Sequence, residues 1–164
     1  MKKVLLAFGA ALLLCGASCE PEMTPAEKEI ARNANLELQS VMDMVSTKQI
    51  PPIEFKTDSD VIKPSSYPML NKVAEILKRY DKLKLVVIGH TDDTGPEDWN
   101  KRLSKLRASA VKEYLASQGV WGDYIKVYGY GSEFPVVNDT TPEARARNRR
   151  VEFVITTRDW GSVF

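Results

Sequence analysis

The chain has 164 residues, 43% of them hydrophobic and 27% charged, the balance of one folded domain of ordinary size with a short appendage. Its 23 Lys and Arg nearly cancel 22 Asp and Glu, leaving a net charge of +1; this excludes a general nucleic-acid binder, which needs a clear basic excess. A single His excludes a metal site built on several imidazoles, and Cys15 and Cys19 both precede the body of the chain, which therefore has no disulfide and no thiolate zinc site.

The first 18 residues read as an address. Lys2 and Lys3 form a positive start, and Val4 to Leu14 is an uncharged, mostly apolar run. It is too short for a membrane span, which needs about 20 residues, and it suits a secretory signal. Gly16, Ala17 and Ser18 before Cys19 resemble a bacterial lipobox, with Gly16 where Leu is usual. Cys19 is the expected lipidation site and so the acyl-bearing (palmitate-type) first residue of the mature chain. The alternative is a secreted protein cleaved near Ser18. Cleavage before Cys19 removes Lys2 and Lys3 and takes the net charge from +1 to −1; the acyl chains then anchor the protein to a membrane face.

Residues 19–49 read as anchor and helical spacer. Thr24-Pro25-Ala26-Glu27 has the form of a capping box with Pro at the first helical position. Ile30, Ala34, Leu38, Val41 and Val45 follow at steps of 3 and 4, one stripe of a helix ending before Pro51-Pro52. About 22 residues of helix reach roughly 33 Å; the helix is either a spacer holding the domain off the membrane or a packed element, and the stripe favours packing.

From residue 50 to 157 the pattern is that of one domain. Ile53 and Phe55 make a short strand, and Ser66 and Pro68 open a helix with the stripe Leu70, Val73, Ala74, Leu77 and Tyr80. Leu83 to Gly89 is apolar enough for a central strand. Gly95-Pro96 introduces a helix with Glu97 and Asp98 in its first turn, favourable against the dipole, and Gly119 just past its end. A strand over 124–130, a helical turn opened by Thr141-Pro142-Glu143 and a last strand over 151–157 complete the order. Strands alternating with helices predict an α/β class, an α+β sandwich with helices on one face of a mixed sheet. Residues 158–164 form a tail with Trp160 and Phe164, which would pack onto the domain.

The chemistry concentrates between 89 and 111, GHTDDTGPEDWNKRLSKLRASAV. Asp92 and Asp93 sit in the loop after the central strand. On the helix that follows, Asn100, Ser104 and Arg107 are spaced by 4 and 3 and share one face, with Leu103, Leu106, Ala110, Tyr114 and Leu115 on the apolar side. Ser104 reads as helix surface. The loop carboxylate and the helix guanidinium can face one small site that suits a zwitterion, the carboxylate holding an ammonium and the guanidinium gripping a carboxylate through two parallel bonds. The competing reading is an Asp–Arg salt bridge fixing loop to helix.

The spacing Gly89-His90-Thr91-Asp92, Gly95, Asn100, Leu103-Ser104, Arg107-Ala108, Val111 resembles the signature of the OmpA C-terminal domain family, which includes the peptidoglycan-associated lipoproteins and the MotB stator tails. Ile53-x-Phe55, Ser59, Ile62 and Pro64 are similar to its opening strand and turn; Gly129-Tyr130-Gly131, Pro135 and Asn138 to its third strand and loop; Arg145-Ala146 and Asn148 to Glu152 to its closing turn and strand. The resemblance covers residues 50 to 157 and implies a mixed four-stranded sheet with helices on one face. It also implies non-covalent binding of peptidoglycan, with Asp92 and Arg107 gripping the free zwitterionic end of diaminopimelate in the stem peptide. Asn100 is carried over as a supporting contact or loop brace, and Thr57 and Asp58 as neighbours of the site in the loop after the first strand. Arg149 and Arg150 are expected to brace the fold.

Other chemistries fit less well. His90 with two adjacent carboxylates is too small a set for a metal-dependent hydrolase, and His90 reads as the strand terminus. Gly129-Tyr130-Gly131 lacks the third glycine of a dinucleotide loop. The expectation is an outer-membrane lipoprotein facing the periplasm that ties membrane to cell wall, without catalysis, cofactor, metal or nucleic acid. Its partners would be peptidoglycan, the outer membrane through the lipid and other envelope proteins; the alternative is an interaction subunit of a larger envelope complex.

Overall fold

The computed structural model describes residues 24–156; the expected signal segment, Cys19 and the tail 158–164 lie outside them. Helix α1 runs Pro25–Ser46. Its start is the capping box that the sequence spells: Thr24 Oγ1 accepts the Glu27 N–H at 3.3 Å and the Glu27 carboxylate accepts the Thr24 N–H at 2.8 Å. The stripe at steps of 4 and 3 packs inward, with Ala34, Leu38 and Val41 buried. Helix α2, Tyr67–Arg79, buries Met69, Leu70, Val73, Ala74, Ile76 and Leu77 and carries Lys78 and Arg79 in its last turn, where cations complement the helix dipole. Glu37 on α1 ties the two helices, accepting from Arg79 at 2.7 Å and from the Tyr80 hydroxyl at 2.8 Å.

Strand β1, Lys84–Gly89, is the centre of a mixed sheet. It pairs in parallel with β2, Ile125–Gly129, and antiparallel with β3, Val151–Thr156, giving the order β2-β1-β3. Helix α3, Glu97–Ser117, makes the crossover that a parallel pair requires, and ends with Gly119 at φ +90°, the left-handed residue expected beyond a helix C-terminus. The short α4, Pro142–Asn148, is capped by the Thr141 hydroxyl and leads into β3. Side chains alternate along β1, so Leu85 and Val87 join Ile125, Val151 and Ile155 in one core with residues of α1, α2 and α3. Helices α1, α2 and α3 therefore lie on one face of the sheet, as expected, and α1 belongs to this core rather than standing off as a spacer.

Two differences from the sequence-based expectation concern this core. The sheet has three strands among the described residues, not four. The 53–55 segment makes a single antiparallel bridge, Phe55 with Ile62, because its backbone groups are taken up by its own return: Lys56 N–H donates to Val61 O, Lys63 N–H to Glu54 O, and Glu54 N–H to the Ser66 hydroxyl. The second difference is the face of α3. Asn100, Ser104 and Arg107 are buried together with Leu103, Ala108, Val111 and Leu115, whereas Leu106 is exposed. The polar stripe is thus the sheet-facing stripe.

Glycine makes that seat possible. Gly89 and Gly129 are register partners, and a Cβ on Gly89 would lie 2.1 Å from the Ser104 carbonyl oxygen, one on Gly129 2.3 Å from the Lys105 nitrogen. Paired glycines on two adjacent strands let the α3 backbone rest on the sheet there. Ser104, fully buried rather than on the surface, uses the contact: its hydroxyl accepts the Gly131 N–H at 2.9 Å and donates to Lys101 O.

Candidate functional site

The loop from His90 to Pro96 joins the carboxyl end of β1 to α3 and is fixed from several sides. The backbone N–H groups of His90 and Thr91 donate to Arg150 O and Gly131 O, each at 2.9 Å. Asn100 is the brace: its side-chain amide donates to Thr94 O at 2.9 Å and to Asp92 O at 3.4 Å. Asp92 turns the loop by accepting the Thr94 N–H at 3.0 Å and the Thr94 hydroxyl on Oδ1. Its other oxygen, Oδ2, accepts from Arg149 Nη1 at 2.7 Å. Burial pushes the Asp92 carboxyl up, but the bonds from Thr94 and Arg149 outweigh it and hold the group below its ordinary value, so Asp92 is an anion at neutral pH.

Arg107 reaches the same place from further along α3. Its Nε donates to Ser59 O at 3.0 Å, and its guanidinium carbon lies 5.1 Å from the centre of the Phe55 ring, within cation–π range. Burial presses its pKa down, Asp58 opposes this, and the charge of Arg149 presses it down again. The guanidinium stays charged, and among the described residues no carboxylate is paired with it. It is a cation held in position, with Asp58 acting on it but no ion pair to any carboxylate among the described residues.

Asp92, Arg107, Thr57 and Asp58 line one cleft of about 590 Å³. One wall is the 52–58 arm with Lys63; the other is His90, Asp92, Arg107, Ala146, Arg149 and Arg150. Asp58 holds a left-handed conformation, φ +47°, which Asp tolerates better than most residues. Asn100 does not line the cleft and acts through the loop. Asp92 and Arg107 are not salt-bridged to each other; Asp92 pairs with Arg149, and Asp93 with Arg145 at 2.7 and 3.2 Å.

Sequence reasoning missed Arg149 and Phe55 as members of the site. Arg150 does brace the fold, bonding Glu152 at 2.7 Å and the carbonyls of Asn148 and Phe134, but Arg149 points to Asp92. Alternation counted back from buried Val151 puts 149 on one side and 150 with Glu152 on the other, a signal that the sequence does contain. Phe55 carries no such signal, because its ring meets Arg107 only after the arm has folded back. Chemically, the cleft presents a shared carboxylate that can take an ammonium beside two guanidiniums that repel each other; an anion between them relieves that repulsion.

The model of the OmpA family matches residues 54–149. The peptidoglycan-binding protein ArfA of Mycobacterium tuberculosis is 42% identical over 119 residues, 73% of this chain and 36% of that protein. The probable lipoprotein YiaD of Escherichia coli is 40% identical over 104 residues, 63% of this chain and 48% of its own length. The chain thus spans between about a third and a half of these relatives. Among solved structures, the peptidoglycan-associated lipoprotein from Burkholderia pseudomallei superposes with a TM-score of 0.60 at 28% identity, covering 63% of this chain and 88% of that one. With the strand order, the glycine seat and the loop–helix site all falling inside or beside the matched stretch, the chain belongs to the OmpA family.

Proposed function

We propose that the chain binds peptidoglycan non-covalently through the zwitterionic end of diaminopimelate in the stem peptide, and that a lipid on Cys19 fixes it to the outer membrane. The protein would then tether membrane to wall, with the domain in the periplasm and no catalytic step. The observation that carries this reading is the unpaired guanidinium of Arg107 in the same cleft as the ionised Asp92. A ligand ammonium shares Asp92 with Arg149, and a ligand carboxylate lies on the fork of Arg107 with two parallel bonds. Phe55 and Ser59 keep that fork from rotating. The names of ArfA and of the Burkholderia lipoprotein support peptidoglycan as the ligand class, and YiaD's supports the lipid anchor.

The test is titration with a soluble diaminopimelate-containing stem peptide, alongside a pull-down with purified sacculi. The wild-type chain is expected to bind both, and Asp92→Ala and Arg107→Ala to lose binding while keeping a cooperative melt. Folded variants that bind as well as the wild type would show that the two residues only brace loop and helix.

A further inference from the structure

The cleft has more room and more positive charge than the end of one amino acid uses. Its volume of about 590 Å³ is that of some twenty waters at about 30 Å³ each, several times the size of an amino–carboxylate head. Five cationic residues line it against three acidic ones, Glu54, Asp58 and Asp92. Glu54 lies 3.7 Å from Lys63, Asp92 2.7 Å from Arg149, and Asp58 acts on Arg107. Arg150 is tied to Glu152. Lys56 is left with no carboxylate partner among the described residues. Its backbone is pinned, the N–H on Val61 O at 2.9 Å and the carbonyl on the Ser59 N–H at 3.3 Å. The ammonium therefore hangs from a fixed point, one residue from the Phe55 ring that lies against Arg107.

We propose that Lys56 takes a second carboxylate of the same ligand, the free α-carboxylate of the γ-linked glutamate that precedes the diamino acid in the wall peptide. The site then distinguishes the free acid from its amide. This rests on the diaminopimelate reading above and adds a specificity determinant to it. The γ-linkage leaves that carboxylate outside the peptide chain, separated from the zwitterionic end by the length of the diamino acid. Amidation replaces one oxygen by nitrogen and removes the charge with almost no change of shape, so a steric site would not notice it and a cation would. A lysine suits the task, being a compact point charge on a flexible stem that does not demand a fixed angle. Because Lys56 is exposed, the attraction is screened by salt.

The experiment titrates the full chain with two soluble tripeptides, L-alanyl-γ-D-glutamyl-meso-diaminopimelate and its glutamate-amidated form, for the wild type, Lys56→Gln and Lys56→Arg. The wild type is expected to prefer the acid about fivefold, with the preference shrinking toward unity at about 1 M salt, where the screening length is about 3 Å. Lys56→Arg keeps the preference and Lys56→Gln loses it. Equal binding of both tripeptides by the wild type, or an undiminished preference in Lys56→Gln, overturns the assignment while leaving the diaminopimelate site standing. Failure of both tripeptides to bind at all overturns that site, and the assignment with it.

Discussion

Asp92 and Arg107 differ in what a conservative change would remove. Arg107→Lys keeps the charge but loses the planar fork, the Nε bond to Ser59 and the contact with Phe55. Charge-assisted hydrogen bonds contribute about 1.5–3 kcal/mol each, so stem-peptide affinity should fall tenfold or more by isothermal titration, with little change in melting temperature. His90 sets a different test. Its ring is buried, neither nitrogen has a hydrogen-bond partner, and Glu152 Oε1 is 3.6 Å from Nε2. Burial lowers its pKa, Arg150 lowers it further, and Glu152 only partly opposes them. A histidine depressed in the folded state contributes stability above its unfolded pKa of about 6.5, and loses it as pH falls from there toward the folded value. The wild-type melting temperature should therefore drop between about pH 7 and pH 5, and His90→Gln should flatten that part of the profile. A wild-type profile that is level across this range would contradict the buried neutral ring.

At the scale of elements, two contacts decide how the cleft is framed. The first is the glycine seat beneath α3. Gly89→Ala would put a Cβ 2.1 Å from the Ser104 carbonyl, and backbone on both sides leaves no flexible side chain to give way. Overpacking of this kind costs typically 1–3 kcal/mol or more; urea unfolding should show at least that loss, together with weaker peptide binding as Arg107 moves with the helix. The second is α1. Ala34, Leu38 and Val41 share the core with α2 and β3, and a buried Leu→Ala change costs about 2–5 kcal/mol. Leu38→Ala should fall in that range, and a chain beginning at Pro51 should melt well below the full one by circular dichroism. Equal melting of the two chains would place the folding boundary at residue 50 and make α1 a covering element only.

For the whole molecule, the proposed tether needs two fixed points that fail independently. In that proposal, removing the lipid should leave the cleft intact, and removing the cleft should leave the lipid. In cells labelled with a fatty-acid probe, the wild type is expected to incorporate label and Cys19→Ala to lose it, while the purified Cys19→Ala chain still sediments with sacculi. The converse holds for Arg107→Ala, which should label normally and stay out of the sacculus fraction. Labelling of both chains alike would remove Cys19 as the anchor.

Much of this molecule is legible in its sequence, because it depends on neighbours along the chain. The capping box at Thr24 and Glu27, the stripes of α1 and α2, the apolar run of β1 and the Gly119 stop are local, and periodicity reports them. So is the sharing of one helix face by Asn100, Ser104 and Arg107 just after the Asp92 loop, since helical spacing alone places those three together. Other features depend on which surfaces meet. That the polar stripe faces the sheet follows from Gly89 lying beside Gly129, residues 40 positions apart brought level by the β1–β2 register. That the 53–55 segment folds back on 61–66 instead of joining the sheet follows from where its hydrogen bonds are met. That Asp92 is ion-paired with Arg149 and not with Arg107 follows from β3 closing antiparallel against β1. The class of fold and the charged residues of the loop–helix junction can be read along the chain; which of those residues are already paired cannot, because ion pairing depends on distances of a few ångströms between segments that the chain does not connect.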